Sequence, residues 1–211
     1  MMSNRVDAVT QCFDMFKTDG VYEVTANDAR PFIMDLHYAK RMPSISYAFG
    51  LIEDSRLIGV VTFGSPASDP LCRGVCGDSQ KQKVIELNRL VLLENKKNQA
   101  SFLVSSAIRK LPKPKIIISY ADTAQNHVGY VYQATNFLFT GTTKERTDMA
   151  AVDGKHPRHH SGDRNNRVFR SSKHRYIYFH ASKTERKKLI RDLRYKIYDS
   201  YPKKGVDGVD I

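Results

Sequence analysis

The chain has 211 residues, enough for one large domain, or one domain with an extension, built around a substantial core. Apolar residues at 41% and aromatic residues at 10% fit a globular protein, and no run of about 18 apolar residues exists, which excludes a membrane-spanning helix. The net charge of +12 is unevenly placed: residues 151–211 hold 16 Lys and Arg against seven Asp and Glu, so nine of the twelve charges lie there, interleaved with aromatic residues in the manner of a nucleic-acid binder rather than a solubilising tail.

The first residues, MMSNRVDAV, lack the apolar run of a signal peptide. Cys12, Cys72 and Cys76 are too few and too unevenly spaced for a disulfide framework, so a reducing cytosol is expected. Residues 5–17 have the spacing of a short amphipathic helix that Asp19-Gly20 ends. VYEVT is a brief extended piece, after which Thr25 or Asn27 caps a helix through ARPFIMDLHYAK. Pro31 fits its first turn, and the helix is expected to run to about Met42-Pro43, with His37 and Tyr38 in its last turn. Ser46–Glu53 and Arg56–Gly64 read as a β-hairpin turning at Asp54-Ser55. Residues 65–82, rich in Pro, Gly, Ser and Cys, are expected to form a long loop.

The stretch Glu86–Gly141 is the centre of the chain. An apolar run over Val84–Leu93 is followed by a polar break and then by helical spacing at Phe102, Leu103, Ala107, Ile108 and Leu111. A second apolar run, Ile116–Tyr120, precedes another helical pattern. Strand, helix, strand, helix predicts two parallel strands in one sheet, with a site at their carboxyl ends. Those ends carry Glu86, Asn88 and Arg89, then Ser119, Tyr120, Asp122 and Asn126. Phe137–Thr142 is a further strand, and Asp148–Arg170 is polar and basic, expected as a mobile loop. HRYIYF alternates as a strand, and Thr184–Tyr195 suits a basic helix.

Several residues stand out chemically. Arg89 lies within an apolar strand, and a buried Arg needs an anion, so it either pairs with Glu86 or Asp122 or holds a ligand. Asp122, directly after IIISY, has a place from which to orient or deprotonate an amine. Tyr132 is either an acid toward a leaving group or core packing beside Tyr130 and Phe137. His37-Tyr38, with Asp122 and Glu86, offers either a satisfied histidine or an iron-like site. Cys72 and Cys76 read as loop cysteines, and His156, His159 and His160 as phosphate-facing. The turn Glu94–Ser101 has no glycine; Ser101 near the following helix start reads as a cap, and Lys96 and Lys97 as anion contacts.

The order of elements, helix, hairpin, β-α-β-α, resembles the GNAT acyltransferase fold. The segments HYAKRMPSISYAFGL, LIGVVTFG, ELNRLVLL, SYADTAQNHVGYVYQATNFLFTG and KHRYIYF…YPK, from about His37 to Lys204, resemble the Mom family of phage DNA adenine-modification proteins, a divergent GNAT branch. The resemblance implies an α+β (α/β) fold: a GNAT-like mixed sheet flanked by helices, with residues 1–150 as the catalytic core and 151–211 as a basic extension that completes the domain and contacts DNA. It implies conversion of adenine in double-stranded DNA to N6-(carbamoylmethyl)adenine, which shields phage DNA from restriction in the host cytoplasm. Its site residues correspond here to Arg89, Asp122, Tyr132 and Tyr47. Arg89 and Ser101 would hold acetyl-CoA or another acyl or aminoacyl donor, and His37 and Tyr38, with Asp122, would hold iron. Two other readings stay open: a GNAT acetyltransferase of a protein or small amine, and a non-catalytic DNA-binding module on the same scaffold.

Overall fold

The computed structural model describes residues 18–149 and 167–204. The expected helix at 5–17 and His156, His159 and His160 lie outside them.

The hairpin forms as β2 (Tyr47–Glu53) and β3 (Arg56–Gly64). Its turn residues Asp54 and Ser55 both take positive φ (50° and 58°), the two-residue turn whose twist matches that of the strands. β1 (Gly20–Glu23) adds to β2, and β4 (Val84–Leu92) adds to β3, both antiparallel. β5 (Lys115–Asp122) runs parallel to β4, as the strand-helix-strand pattern requires. The sheet is completed by β6 (Leu138–Thr142) and β9 (Lys173–His180), giving the order β1-β2-β3-β4-β5-β9-β6. A separate two-stranded ribbon pairs β7 (Arg146–Met149) with β8 (Arg167–Arg170). The mixed seven-stranded sheet with flanking helices is the fold class expected. β9, from beyond residue 150, lies between β5 and β6, so one continuous sheet joins the two parts of the chain.

Helices cover both faces. On the first, α3 (Gln99–Lys110) and α4 (Tyr130–Ala134) bury Leu103, Val104, Ala107, Ile108 and Tyr132 against Phe49, Phe63, Leu87, Ile117 and Tyr176. On the second, α1 (Ala26–Pro31) and the wide turn Phe32–Leu36 pack on Ala48, Val60 and Val91. Beside them α2 (Asp69–Cys76) and α5 (Lys183–Asp192) pack Val75, Cys76 and Leu189 on Ile116, Ile118 and Ile177. Burial of the four branched side chains Ile116, Ile117, Ile118 and Ile177, all 0% exposed, stabilises this centre by roughly 1.5–3 kcal/mol each.

Three expectations are corrected. Residues 65–82 are no loop: Ser68 caps α2 by accepting from Leu71 N, Pro70 lies in the first turn where its missing N–H costs nothing, and a 3₁₀ segment follows at Asp78–Lys83. The helix capped by Thr25, with Asp28 completing the capping box, stops at Leu36 rather than near Met42. Its last turn is widened, with His37 N donating to Phe32 O five residues back at 3.0 Å, and His37 is already extended. Finally, the two ends of the loop expected over Asp148–Arg170 are strand: Asp148 and Met149 belong to β7, which pairs with β8 (Arg167–Arg170).

Candidate active site at the parting of two parallel strands

β4 and β5 pair only over Val84–Glu86 and Ile116–Ile118, although both continue well beyond. Past that point they diverge, and Ser119 Oγ donates to Leu87 O at 2.9 Å across the opening. The alternation of strand side chains decides what faces the gap. Glu86 shares the second face with Val84, and a register shift opposite Thr62 and Phe63 brings Arg89 onto that face too, opposite Thr62 and Ala48. On β5, Tyr120 and Asp122 follow Ile116 and Ile118 onto the same face; on β9, Lys173 and Arg175 lie opposite them. Glu86, Arg89, Tyr120, Asp122, Lys173 and Arg175 thus converge from three strands.

Asp122 is buried, and its carboxylate is fully held. Oδ1 accepts from Ser171 Oγ (2.5 Å) and Ala124 N (3.1 Å), and the Lys173 ammonium donates to Oδ2. Burial alone would raise its pKa, but the Lys173 and Ser171 hydrogen bonds and the Lys173 charge outweigh it, so Asp122 stays below the ordinary carboxylate range and is ionised at neutral pH. Glu86 is its opposite: burial pushes it up to about 7 against the pull of Arg89 and Lys173. Two carboxylates on one face thereby hold different protonation states.

Arg89 pairs with neither. Its Nη1 donates to Asn88 O (2.6 Å) and its Nη2 to Arg41 O (2.9 Å), while Nε is buried without a partner. Neither expected ion pair forms among the described residues; backbone carbonyls take the two Nη donors instead. The segment supplying Arg41 O is pinned against the sheet, since Asn88 Nδ2 donates to Ser44 O at 2.8 Å and a Cβ on Gly64 would overlap Ser44 O.

The widened turn delivers His37 and Tyr38 to the same opening. Their rings stack at 4.4 Å, and the His127 ring meets Tyr38 edge-on at 6.0 Å. Burial, Arg89 and His127 lower His37 to about 4, so its ring is neutral. Its Nδ1 accepts from Ala39 N at 3.0 Å, which puts the ring proton on Nε2. Burial and the Asp122 charge raise the Tyr38 pKa, so its hydroxyl stays protonated. As arranged here, the residues expected to hold iron do not present a metal site: His37 Nδ1 accepts from Ala39 N, Asp122 carries an ammonium on one oxygen and two donors on the other, and no group of three His, Cys, Asp or Glu is gathered among the described residues.

Tyr47, Tyr132 and Ser101 are on the other face. Tyr47 packs against the first-face core with the Lys115 ammonium 6.0 Å from its ring centre, and is not brought to Arg89 or Asp122. Tyr132 packs among Phe137 and Tyr176 (5.4 and 5.1 Å), yet its phenol meets Ser119 at the strand opening. Burial raises it to about 12, so it is a protonated donor. The ring is core packing, as one reading of Tyr132 had it, and its hydroxyl lies beside Ser119. Ser101 is not the cap of α3. Asn98 occupies that position at φ 64°, and Ser101 Oγ donates to Asn98 O at 2.9 Å. Asn tolerates this left-handed conformation, so it supplies the backbone turn for which a glycine is usual. No side chain caps the first turn of α3, Lys96 is tied to Glu94 and Glu53, and Lys97 has no acidic partner among the described residues. These residues fit an anionic donor group through backbone N–H and Lys97.

Lys173 and Ser171, which hold Asp122, and Arg175, whose guanidinium lies 3.4 Å over the Tyr195 ring, were not singled out in the sequence. The available signal was the period of KHRYIYF, which puts Lys173, Arg175 and Ile177 on one face.

A model of the Mom protein family matches residues 20–203. A relative described as "Methylcarbamoylase mom" of Escherichia phage Mu is 31% identical over 120 residues, 54% of this chain and 50% of its own, so the match spans about half the relative's length. Among solved structures, Arabidopsis thaliana NAA60 in complex with a bisubstrate analogue is similar at a TM-score of 0.49 and 13% identity, covering 77% of this chain and 98% of that one. A GNAT-family acetyltransferase from Bacillus cereus is similar at a TM-score of 0.44 and 12% identity, covering 77% and 97%.

Proposed function

The chain belongs to the Mom protein family, and from that membership we propose that it is a transferase converting adenine in double-stranded DNA to N6-(carbamoylmethyl)adenine, protecting phage DNA from restriction in the host cytoplasm. The observation that carries this reading is the presence, on one sheet face at the strand opening, of an ionised Asp122 and a half-buried Arg89 that forms no ion pair among the described residues. A cationic fork suits the carbonyl or anionic part of a donor, and a fixed carboxylate suits an exocyclic amine.

Adenine N6 donates a hydrogen bond to Asp122, whose hold by Lys173 and Ser171 makes it an orienting acceptor more than a strong base. Arg89 binds the donor's polar head through the guanidinium N–H groups that the Asn88 and Arg41 carbonyls leave free. The start of α3, with Lys97, holds an anionic part of the donor, and Ser101 fixes that turn through Asn98. The carbon that bonds N6 in the product is the methylene of the carbamoylmethyl group, so the donor presents that methylene bound to a leaving group, and the methylene–leaving-group bond breaks as the N6–carbon bond forms. As the new bond to N6 forms, the amine sheds a proton and the donor's leaving group takes one. That proton is assigned to Tyr132, a reading supported by its protonated phenol beside Ser119. Residues 151–211 supply cations for the phosphate backbone, so affinity falls with salt.

The test is to express the chain with a plasmid and analyse the plasmid's nucleosides by mass spectrometry. The expected result is a modified adenine with the mass of the carbamoylmethyl adduct, lost in a folded Asp122→Ala variant. Unmodified adenine from soluble, folded wild type would overturn the proposal.

A further inference from the structure

The ribbon formed by β7 and β8 has no place in the steps above. Its two strands pair Arg146 with Arg170, Thr147 with Phe169, and Asp148 with Val168. Among the described residues no layer covers either face: Arg167, Val168 and Phe169 are all exposed, Phe169 at 62%. Asp148 meets both Arg146 (3.2 Å) and Arg170 (3.5 Å), which holds the two guanidinium groups side by side, and Arg167 stays without an acidic partner among the described residues.

The base of the ribbon is clamped to the site. Ser171 Oγ donates to Asp122, and Ser172 O accepts from Thr123 N (3.2 Å) and Thr123 Oγ1 (2.8 Å). Phe169 lies two residues from Ser171, a reach of about 7 Å along an extended chain. An exposed aromatic ring on a cationic two-stranded ribbon, tied at its root to the carboxylate that faces the amine, has the chemistry of a duplex reader. The major groove admits such a ribbon, and adenine presents its N6 amine there. A base drawn out of the stack leaves a gap that an apolar side chain fills.

Resting on the proposed function, we propose that the β7–β8 ribbon enters the major groove of duplex DNA and inserts Phe169 between base steps, holding the target adenine out of the stack beside Asp122. Arg146, Arg167 and Arg170 grip the flanking phosphates. Phe169 is a positioning residue, since it acts on the neighbouring stack and not on the reacting amine.

Two measurements on the full chain test this. A side chain inserted between base steps unstacks and bends the duplex, so energy transfer between dyes at the ends of a duplex should rise with wild type and not with Phe169→Ala, whose melting temperature should match wild type. An unbent duplex with wild type, or equal bending by both proteins, overturns the insertion whatever the chemistry. In the second, Phe169→Ala should lose at least about tenfold in modification of a paired adenine and recover on the same adenine opposite an abasic site, where no pairing resists extrusion. Equal loss on both substrates, or no loss, overturns the role. Wild type that bends DNA yet modifies no adenine would sink the functional reading and leave the insertion standing.

Discussion

Lys173 and Asp122 face each other as register partners on β9 and β5, the lysine ammonium donating to Oδ2 of the carboxylate. They are 51 residues apart in sequence, and the strand that brings them together is inserted between β5 and β6. Replacing Lys173 by Met removes the donor and the charge that hold Asp122 below its ordinary pKa while burial still pushes upward. The sign follows: the carboxyl pKa rises, and the acid limb of the pH–rate profile moves toward neutrality. A loss of about tenfold or more near pH 6 that shrinks toward pH 8 is expected of a carboxylate that must be ionised to accept from the amine. A uniform loss at every pH would assign Lys173 a packing role instead.

Glu86 makes the reverse prediction for stability. Burial raises its folded pKa to about 7 from 4.5, so the folded protein holds a proton that the unfolded chain releases between those values. Stability therefore falls as pH rises through that window, at up to about 1.4 kcal/mol per unit. Glu86→Gln removes this dependence, and the variant should melt above wild type at pH 8 and close to it at pH 4.5. Parallel melting curves for the two proteins across that range would show that Glu86 is not perturbed.

Arg89 tests the donor side. Its guanidinium bonds the Asn88 and Arg41 carbonyls through separate nitrogens and keeps further N–H donors in the same plane, a geometry that a lysine ammonium cannot reproduce. Arg89→Lys should leave melting within about 1 kcal/mol of wild type and cost at least about tenfold in modification, with most of the loss in KM for the donor. Full activity in this variant would remove Arg89 from donor binding.

Much of the frame was legible because local chemistry dictates it: apolar runs gave β4 and β5, and Asp54-Ser55 gave the hairpin turn. α2 was not, because Pro70, Gly74 and two cysteines carry loop signals, whereas Ser68 capping and the burial of Val75 and Cys76 decide the helix. Arg89 and Asp122 were legible as polar residues at strand ends. Their partners were not, since Lys173, Ser171 and Arg41 reach them through long-range pairing or backbone carbonyls that no spacing reveals. Which face a residue takes was also hidden: the register shift in β4 carries Arg89 onto the face of Glu86, while Tyr47 falls on the other.

Gly129 offers a test of the scaffold behind the site. It sits at φ +79°, the start of α4, and a Cβ there would stand 2.5 Å from the Tyr176 ring. Tyr176 is wholly buried, its hydroxyl donating to Val128 O at 2.5 Å, so the ring has nowhere to move. Tyr132, three residues on from Gly129, packs against that same ring at 5.1 Å. Gly129→Ala combines left-handed strain of order 1 kcal/mol with overpacking of about 1–3 kcal/mol, and it also displaces the Tyr132 hydroxyl from the strand opening. The variant should lose thermal stability by several degrees and modify DNA more weakly at temperatures where it is still folded. Restoring space with the double substitution Gly129→Ala and Tyr176→Phe should recover little, because the clash involves the ring carbons as well as the hydroxyl. A single variant as stable as wild type would mean that the backbone at Gly129 relaxes and that Tyr132 is not fixed from behind.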